Sequence, residues 1–331
     1  MFARLHNNKL NYLPGSPIPL ERALVTGASG FIGSFVTKQL LRRGIDTAVL
    51  QRDETLGARL SDVKAQLKII KYDIRKSESF LDAVRAFKPQ TVIHLGWAGV
   101  GNFDRNSLRT QISNLEFAHE LIEATRAAGA QHWIGAGSQA EYGPKNHAIS
   151  EKDSTEPTTL YGASKLAAYH LTKTHCSLLG LRHSWLRIFS TYGPSDNEHW
   201  MIPSLIRQLL KGEEPSLTAG EQLWDYLHVE DAARAFIAVA EFQAEGVFNL
   251  GSGEAHSLRD TIEQICELIN PNAKLGFGKM PYRPDQVMRL QADIRLLNDT
   301  TTWKPSITIE DGLRDTVEWF SRRYVNPPTK A

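Results

Sequence analysis

The chain has 331 residues, of which 41% are hydrophobic and 23% are charged, and its formal net charge at pH 7 is +1. This composition is typical of a globular protein with a sizeable core, in one large domain or two smaller ones. The charged residues are scattered and leave no basic surplus for a phosphate backbone, so we expect no nucleic-acid partner.

The two cysteines, Cys176 and Cys266, occur singly in apolar, helix-like stretches. Neither a disulfide framework nor a zinc-ligand spacing is present, which fits a reducing cytoplasm. No run approaches the roughly 18 apolar residues of a membrane helix, so no membrane association is expected. The 11 histidines show no paired helical spacing beside acids or thiols, and the sequence predicts no metal site.

Residues 1–20 are expected to form a loose extension. From residue 21 onward, short apolar runs alternate with longer amphipathic ones, a pattern that indicates strand-helix-strand units and a parallel sheet. The predicted strands are "RALVTG", "TAVLQR", "LKIIKYD", "TVIHLGW", "HWIGAGS" and "RHSWLRIF". We therefore predict an α/β fold, with a doubly wound, Rossmann-like parallel sheet in a dinucleotide-binding domain over residues 21–190.

Beyond Gly193 the alternation breaks, with prolines at 194, 203 and 215 and mixed helical and strand-like stretches. This change predicts a smaller C-terminal substrate-binding lobe over residues 191–224 and 253–325. The strand-like "GVFNLGS" indicates that residues 225–252 return to the main sheet, so the domain boundary is interleaved.

The first predicted strand leads into "TGASGFIGSF", with a helix beginning near Phe31. Glycines at such a turn let a phosphate group approach the backbone, and the helix N-terminus supplies amides that favour it. The Gly-x-x-Gly-x-x-Gly spacing is a variant of the commoner fingerprint, and glycines that only ease strand-to-helix packing are the alternative. The residues predicted to bind a dinucleotide here are Gly27, Ser29, Gly30, Phe31, Ile32 and Gly33.

The end of the second strand bears on the choice between NAD and NADP, because an acid there binds ribose hydroxyls and a cation holds a 2′-phosphate. Gln51 and Arg52 follow "TAVL", which favours NADP(H) over NAD(H), although Asp53 comes next and a one-residue shift of the strand end would weaken this preference. Asp73 and Ile74 follow the third strand and are predicted to meet the adenine ring; a turn-forming aspartate is the alternative.

The stretch "LYGASKLAAYHL" at residues 160–171 places Tyr161 and Lys165 four residues apart, on one face of a predicted helix. The pair alone is weak evidence, since a tyrosine beside a solvated lysine stem is common on surface helices. Its meaning depends on the rest of the chain.

Taken in order, "TGASGFIG", "GSQAEYG" and "YGASK" resemble the extended short-chain dehydrogenase/reductase family, in the branch that acts on nucleotide-activated sugars. Further matches at "LRIFSTYGP", "WDYLHVEDAARA", "FNLGSG" and "RPDQVMRLQADIRLL" extend the resemblance over roughly residues 20 to 320. The resemblance implies that Ser138, Tyr161 and Lys165 are catalytic. It also implies cofactor contacts by Tyr161, Lys165, Leu95, Gly96, Trp97 and Ile188, and a homodimer through the helices near 107–128 and 160–178.

The chemistry expected of this set follows from charge. A free tyrosine titrates near pH 10, and Lys165 together with an oxidised nicotinamide would favour its phenolate. In the reductive direction, hydride would pass to a sugar carbonyl while Tyr161 protonates the oxygen and Ser138 donates a hydrogen bond to it.

Several positions depart from the family pattern. Gln139 and Ala140 stand where the sugar dehydratases carry an Asp-Glu pair, which disfavours dehydration. Ser190 replaces an asparagine that contacts the diphosphate region, and Trp224 replaces a phosphate-binding arginine. The residues predicted to bind substrate are Gln139, Ser190, His199, Trp224 and Arg283.

These features favour an NAD(P)-dependent oxidoreductase that acts on a nucleotide diphosphate sugar, with reduction of a 4-keto-6-deoxyhexose at C4 as the first hypothesis. A hexose 4-epimerase with tightly bound NAD is the alternative among enzymes. A non-catalytic dinucleotide-sensing protein is the alternative outside enzymes, and the complete set of Ser138, Tyr161 and Lys165 weighs against it.

Overall fold

The computed structural model describes residues 17–52, 56–72, 80–101, 104–283 and 286–325. Its strands are β1 (Arg22–Thr26), β2 (Asp46–Gln51), β3 (Lys68–Lys71), β4 (Thr91–His94), β5 (His132–Ser138), β6 (Arg182–Ile188), β7 (Ser190–Tyr192), β8 (Leu223–Trp224), β9 (Tyr226–His228), β10 (Gly246–Leu250), β11 (His256–Ser257) and β12 (Arg289–Leu290). Its α-helices are α1 (Phe31–Arg42), α2 (Leu81–Phe87), α3 (Leu108–Ala127), α4 (Leu160–Leu179), α5 (Met201–Leu210), α6 (Val229–Glu241), α7 (Leu258–Ile269), α8 (Arg295–Thr301) and α9 (Ile309–Val325).

A parallel sheet of seven strands, in the order β10-β6-β5-β4-β1-β2-β3, forms the centre of the described part of the chain. The chain reverses its direction of travel across the sheet between β1 and β4, which is the arrangement of a doubly wound fold. The predicted α/β, Rossmann-like fold is confirmed, and each of the six predicted strands corresponds to a strand of this sheet.

Helices cover both faces of this sheet, which explains why its strands read as continuous apolar runs. Successive residues of β1 point to opposite faces: Val25 joins the hydrophobic cluster that includes Phe236 of α6, and Leu24 joins the one that includes Leu121 of α3. Helices α1 and α6 pack together, as do α3 and α4. The active-site candidates of α4 therefore lie on the α3 side of the sheet.

The C-terminal part of the chain forms smaller sheets and a hydrophobic cluster of its own. Strand β7 pairs with β9, and β8 pairs with β11 and β12. Helices α5, α7 and α9 contribute Leu205, Ile265 and Phe320 to the separate cluster. Strand β10 pairs with β6 in the main sheet. The exact domain boundaries stay a prediction, as does the extension over residues 1–20.

No helix in the described ranges combines the length and the apolar character that crossing a bilayer would require.

Candidate active site

The turn between β1 and α1 brings backbone close to backbone. Gly27 has φ +68°, and a Cβ on it would lie 2.6 Å from the backbone nitrogen of Gly96, in the segment after β4. A Cβ on Gly33 would overlap the carbonyl of Gly27. Side chains are thus excluded from this turn at the N-terminus of α1, which leaves backbone amides accessible to a diphosphate.

Donors at the end of β2 border this turn. The hydroxyl of Ser29 donates to Gln51 Oε1 at 3.4 Å. The Nε2 of Gln51 is buried and has no hydrogen-bond partner among the described residues. A buried amide without an acceptor is costly, so this donor suits a ligand oxygen. The glycine-rich turn and the Nε2 of Gln51 together fit the adenosine end of a dinucleotide.

The cation predicted at this position has no contact that supports the prediction: Arg52 is exposed and makes no hydrogen bond within the described residues. Asp53, Asp73 and Ile74 lie outside the described residues. The roles predicted for Arg52, Asp73 and Ile74 remain predictions.

Arg59, which the sequence analysis did not single out, bridges the glycine-rich turn and the segment after β7. Its Nη1 donates to the carbonyl of Ser29 at 3.3 Å, while its Nε and Nη2 donate to the carbonyl of Ser195 at 3.0 and 2.8 Å. Ser195 belongs to the segment after β7. The guanidinium therefore joins the glycine-rich turn to the segment after β7. An arginine in a polar loop gives no sequence signal of such a role.

The three predicted catalytic residues come together at the C-terminal end of β5. Ser138 is the last residue of β5, and Tyr161 and Lys165 lie in the first turns of α4, whose N-cap Thr159 accepts from Gly162 N. Ser138 lies close enough to Tyr161 for its hydroxyl to favour the phenolate, which lowers the pKa of Tyr161. Ser138 also pairs with Ile188 of β6, which brings that predicted cofactor contact to the same sheet edge.

Lys165 is held differently from the sequence-based expectation. It is 4% exposed, its Nζ donates to the carbonyl of Ala136 at 2.7 Å, and it lies 3.8 Å from the ring centroid of Trp97. Its Nζ is 5.9 Å from the centroid of the Tyr161 ring. Burial lowers the pKa of Lys165 to about 7, and the charge of Glu141 opposes this shift.

Arg105, which was not predicted, is the cation nearest to the ring of Tyr161 in the described residues. Its guanidinium carbon lies 4.8 Å from the ring centroid, and its buried Nε has no partner there. Tyr161 is 7% exposed, and burial raises its pKa against the opposing effects of the Ser138 hydrogen bond and the Arg105 charge. Desolvation therefore dominates the pKa of Tyr161 in the protein without ligands. The lowering expected from Lys165 together with an oxidised nicotinamide stays a prediction.

Polar side chains of α3 hold the segment that carries Trp97 and Arg105. Gln111 Oε1 accepts from Trp97 Nε1 at 2.9 Å, and Gln111 Nε2 donates to the carbonyls of Gly99 and Asp104 at 3.0 and 3.4 Å. The same segment begins at Leu95 and Gly96, whose backbone amides donate to the carbonyl and hydroxyl of Thr26. A continuous set of contacts thus runs from the glycine-rich turn to Lys165.

A buried ion pair between Glu141 and Arg187 holds the backbone of Ser138 in place. Glu141 is fully buried and accepts from Arg187 Nε at 2.7 Å, Trp185 Nε1 at 2.9 Å and the backbone amide of Ser138 at 2.9 Å. This pair could not be predicted from the sequence, because Glu141 and Arg187 lie in separate elements.

Two of the predicted substrate residues meet. Trp224 Nε1 donates to Ser190 Oγ at 2.7 Å, so both departures from the family pattern occupy one place. Gln139 follows Ser138 in a short 3-10 turn. His199 and Arg283 are exposed, and within the described ranges their side chains form no hydrogen bond or ion pair with Ser190 or Trp224.

A glycine-rich turn at a helix N-terminus, together with a buried Ser, Tyr and Lys set where β5 of the same sheet ends, defines a dinucleotide-binding enzyme of the short-chain dehydrogenase/reductase type. The chain belongs to the NAD dependent epimerase/dehydratase family, whose model matches residues 23–251. The expected membership of the extended family, and the expectation of an enzyme, are confirmed.

Curated relatives catalyse several reactions on nucleotide sugars. The chain is 26% identical to the dTDP-glucose 4,6-dehydratase of Salmonella typhimurium, over 92% of this chain and 94% of the relative. It is 29% identical to the UDP-glucuronate 4-epimerase of Thermodesulfobacterium geofontis, over 89% and 95%.

Solved structures agree with the fold. The UDP-N-acetylglucosamine 4-epimerase of Methanobrevibacter ruminantium, in complex with UDP-N-acetylmuramic acid, is 26% identical with a TM-score of 0.83, covering 92% of this chain and 100% of that one. The Thermus thermophilus UDP-glucose 4-epimerase, in complex with NAD, is 28% identical with a TM-score of 0.79, covering 90% and 98%.

Proposed function

We propose that the protein is an NAD(P)-dependent oxidoreductase of a nucleotide diphosphate sugar, and that it reduces a 4-keto-6-deoxyhexose group at C4. The convergence of Ser138, Tyr161 and Lys165 at one sheet edge, linked by contacts to the glycine-rich turn, carries this proposal. Family membership supports the nucleotide-sugar substrate class.

The glycine-rich turn, Gln51 and the 95–97 segment would hold the dinucleotide, which supplies the hydride when bound. We favour NADP(H), since the described end of β2 presents the neutral Gln51, with an unpartnered amide donor, instead of an acid. The half-buried Arg59 is a cation beside this end, because its guanidinium donates to the carbonyl of Ser29. NAD in the solved relative from Thermus thermophilus is the observation against this preference.

The proton steps fall to the chain's own residues. Tyr161 would protonate the carbonyl oxygen while the hydroxyl of Ser138 donates a hydrogen bond to the same oxygen. Arg105 and Lys165 would stabilise the phenolate that the transfer leaves behind. Ala136 and Trp97 keep the ammonium of Lys165 beside this centre.

Dehydration is disfavoured by the residues next to Ser138. The side chain of Ala140 is buried and cannot exchange protons, and Gln139 offers only an amide. Catalysis by a paired acid and base therefore has no candidates at these two positions.

A 4-epimerase with tightly bound NAD is the second candidate, and the epimerases among the relatives favour it. The purified protein separates the two. Net NADPH oxidation with a nucleotide-bound 4-keto-6-deoxyhexose supports the reductase. Stoichiometric NAD that survives gel filtration, with interconversion of 4-epimers and no net cofactor consumption, supports the epimerase. Absence of either turnover with retained dinucleotide binding would leave the dinucleotide-sensing alternative.

We also propose a homodimer through α3 and α4. Leu171 and Leu178, one face of α4, are 59% and 81% exposed, and Leu108 and Ile112 on α3 are exposed at helical spacing as well. Such apolar faces suit a second copy of the chain. Leu171→Lys should convert a dimer to a monomer in light scattering; a wild-type protein that is monomeric at micromolar concentration would contradict the proposal.

A further inference from the structure

A group of metal-type ligands lies on the packed pair α3 and α4. His119 and Glu123 are four residues apart on α3, and both face His175 of α4. One ligand atom from each of the three lies within 4.8 Å of the others. The sequence analysis overlooked the four-residue spacing of His119 and Glu123, and only the packing of α3 on α4 adds His175 to that pair.

The two imidazole rings are arranged like ligands of one ion. Their Nδ1 atoms are 3.4 Å apart, whereas their ring centroids are 4.9 Å apart, so the rings diverge away from the two nitrogens. The two Nδ1 atoms therefore lie on the facing sides of the two rings. Two nitrogens bound tetrahedrally to zinc, each at about 2.0–2.1 Å, are separated by about 3.4 Å.

A direct hydrogen bond between the rings explains this geometry less well. Such a bond needs the N–H of one ring to point along its own plane at the other nitrogen. Here the ring planes are stacked at 27°, and the separation of 3.4 Å is long for a nitrogen donor.

Glu123 supplies the support that metal-binding histidines usually have. Its Oε1 lies 2.6 Å from Nε2 of His175, and it accepts the proton of that nitrogen. In the neutral imidazole of His175, Nδ1 is then the atom with a free lone pair, and it is the atom that faces His119. A carboxylate on the far nitrogen of a ligand histidine orients the ring and raises its basicity.

We propose that His119 and His175 bind a divalent transition metal ion of the zinc class through their Nδ1 atoms, with Glu123 orienting His175. Imidazole ligands suit zinc, copper and nickel. His175 lies between Leu171 and Leu178 on the face of α4 proposed for the dimer, so the remaining ligands would be water or groups of the second copy. The site is separate from the catalytic centre, since His175 follows Tyr161 by fourteen residues on α4, or about 21 Å along the helix. The ion would join α3 to α4.

Titration of the tag-free, EDTA-treated protein with Zn²⁺ tests the proposal, with binding followed by calorimetry and Co²⁺ followed by its visible absorption. We expect saturable binding of one ion per chain. His119→Ala and His175→Ala should each weaken binding at least tenfold, and Glu123→Ala by about ten- to a hundredfold. His170→Ala, which removes another exposed histidine of α4, is the matched control and should bind as the wild type does.

Thermal unfolding gives a second readout, because an ion that joins two helices of the folded state raises its melting temperature. Zn²⁺ should raise it in the wild type and in the His170 variant, and not in the His119 variant. Lack of saturation at millimolar Zn²⁺, or equal affinity in the wild type and the His119 and His175 variants, would overturn the proposal. Because these measurements need no substrate or dinucleotide, they are independent of the proposed catalytic function.

Discussion

The two ends of the candidate active site are built by opposite means. At the glycine-rich turn, function depends on missing side chains, since Gly27 and Gly33 allow backbone contacts that any Cβ would prevent. Around Tyr161, function depends on side chains packed from several elements, including Trp97, Arg105 and Lys165. The glycine-rich turn is therefore encoded by a local stretch of sequence, whereas the surroundings of Tyr161 form only when the chain folds.

The largest effect expected is on turnover, and it separates the two ends. Tyr161→Phe should lower kcat by about 10²–10⁴-fold and leave dinucleotide affinity within a few-fold, because it removes only the proton donor. Gly27→Val should abolish dinucleotide binding, because its side chain would meet the backbone of Gly96. Steady-state kinetics and fluorescence titration measure both. An unchanged kcat in the phenylalanine variant would remove Tyr161 from the mechanism.

The support behind Ser138 should also be costly to remove. Glu141→Ala leaves the buried Arg187 without its partner and should destabilise the protein by about 3–5 kcal/mol. Urea unfolding measures this loss. The double variant Glu141→Leu with Arg187→Met, which leaves no unpaired charge, should recover part of it. A single variant as stable as the wild type would show that the pair contributes nothing.

A smaller effect, on the pH dependence of activity, is expected from removing the charge of Arg105. A positive charge facing the ring favours the phenolate, so Arg105→Ala should raise the pKa of Tyr161. In the oxidative direction, where the phenolate is the active form, the rising limb of the pH profile should move to higher pH by about one unit, with about tenfold lower activity below it. Arg109→Ala, an exposed arginine on α3, should leave the profile in place. Identical profiles for all three proteins would exclude an electrostatic role for Arg105.

The smallest effect expected is on the choice of dinucleotide. Gln51→Asp should lower the affinity for NADP(H) about tenfold relative to NAD(H), because a carboxylate repels a 2′-phosphate. The variants Arg59→Ala and Arg52→Ala show which of the two cations contributes to NADP(H) affinity. The contact of Arg59 with Ser29 favours Arg59. Titrations with both reduced cofactors give the ratios. A wild-type protein that prefers NAD(H) would refute the sequence-based preference.

The same contrast explains how far the sequence could be interpreted. Apolar alternation and the glycine spacing predicted the sheet and the turn, because both depend on neighbouring residues. Tyr161, Lys165 and Ser138 were recognisable through the family resemblance. Three other contacts were not recognisable, because each joins residues from separate elements. They are the Glu141 and Arg187 pair, the contact of Arg105 with Tyr161, and the Arg59 bridge. The rise in the pKa of Tyr161 that burial causes in the protein without ligands was not recognisable either, since burial is a property of the folded chain.

The bond between Trp224 and Ser190 has a practical consequence for redesign. The indole needs an acceptor and the hydroxyl lies at 2.7 Å from it, so the two positions form one recognition unit. Restoring an arginine at position 224 alone, or an asparagine at position 190 alone, would leave the other side chain without its hydrogen-bond partner. Altered substrate preference should therefore be sought in libraries that vary both positions together, and lineages that drifted at one of them would be expected to have drifted at the other.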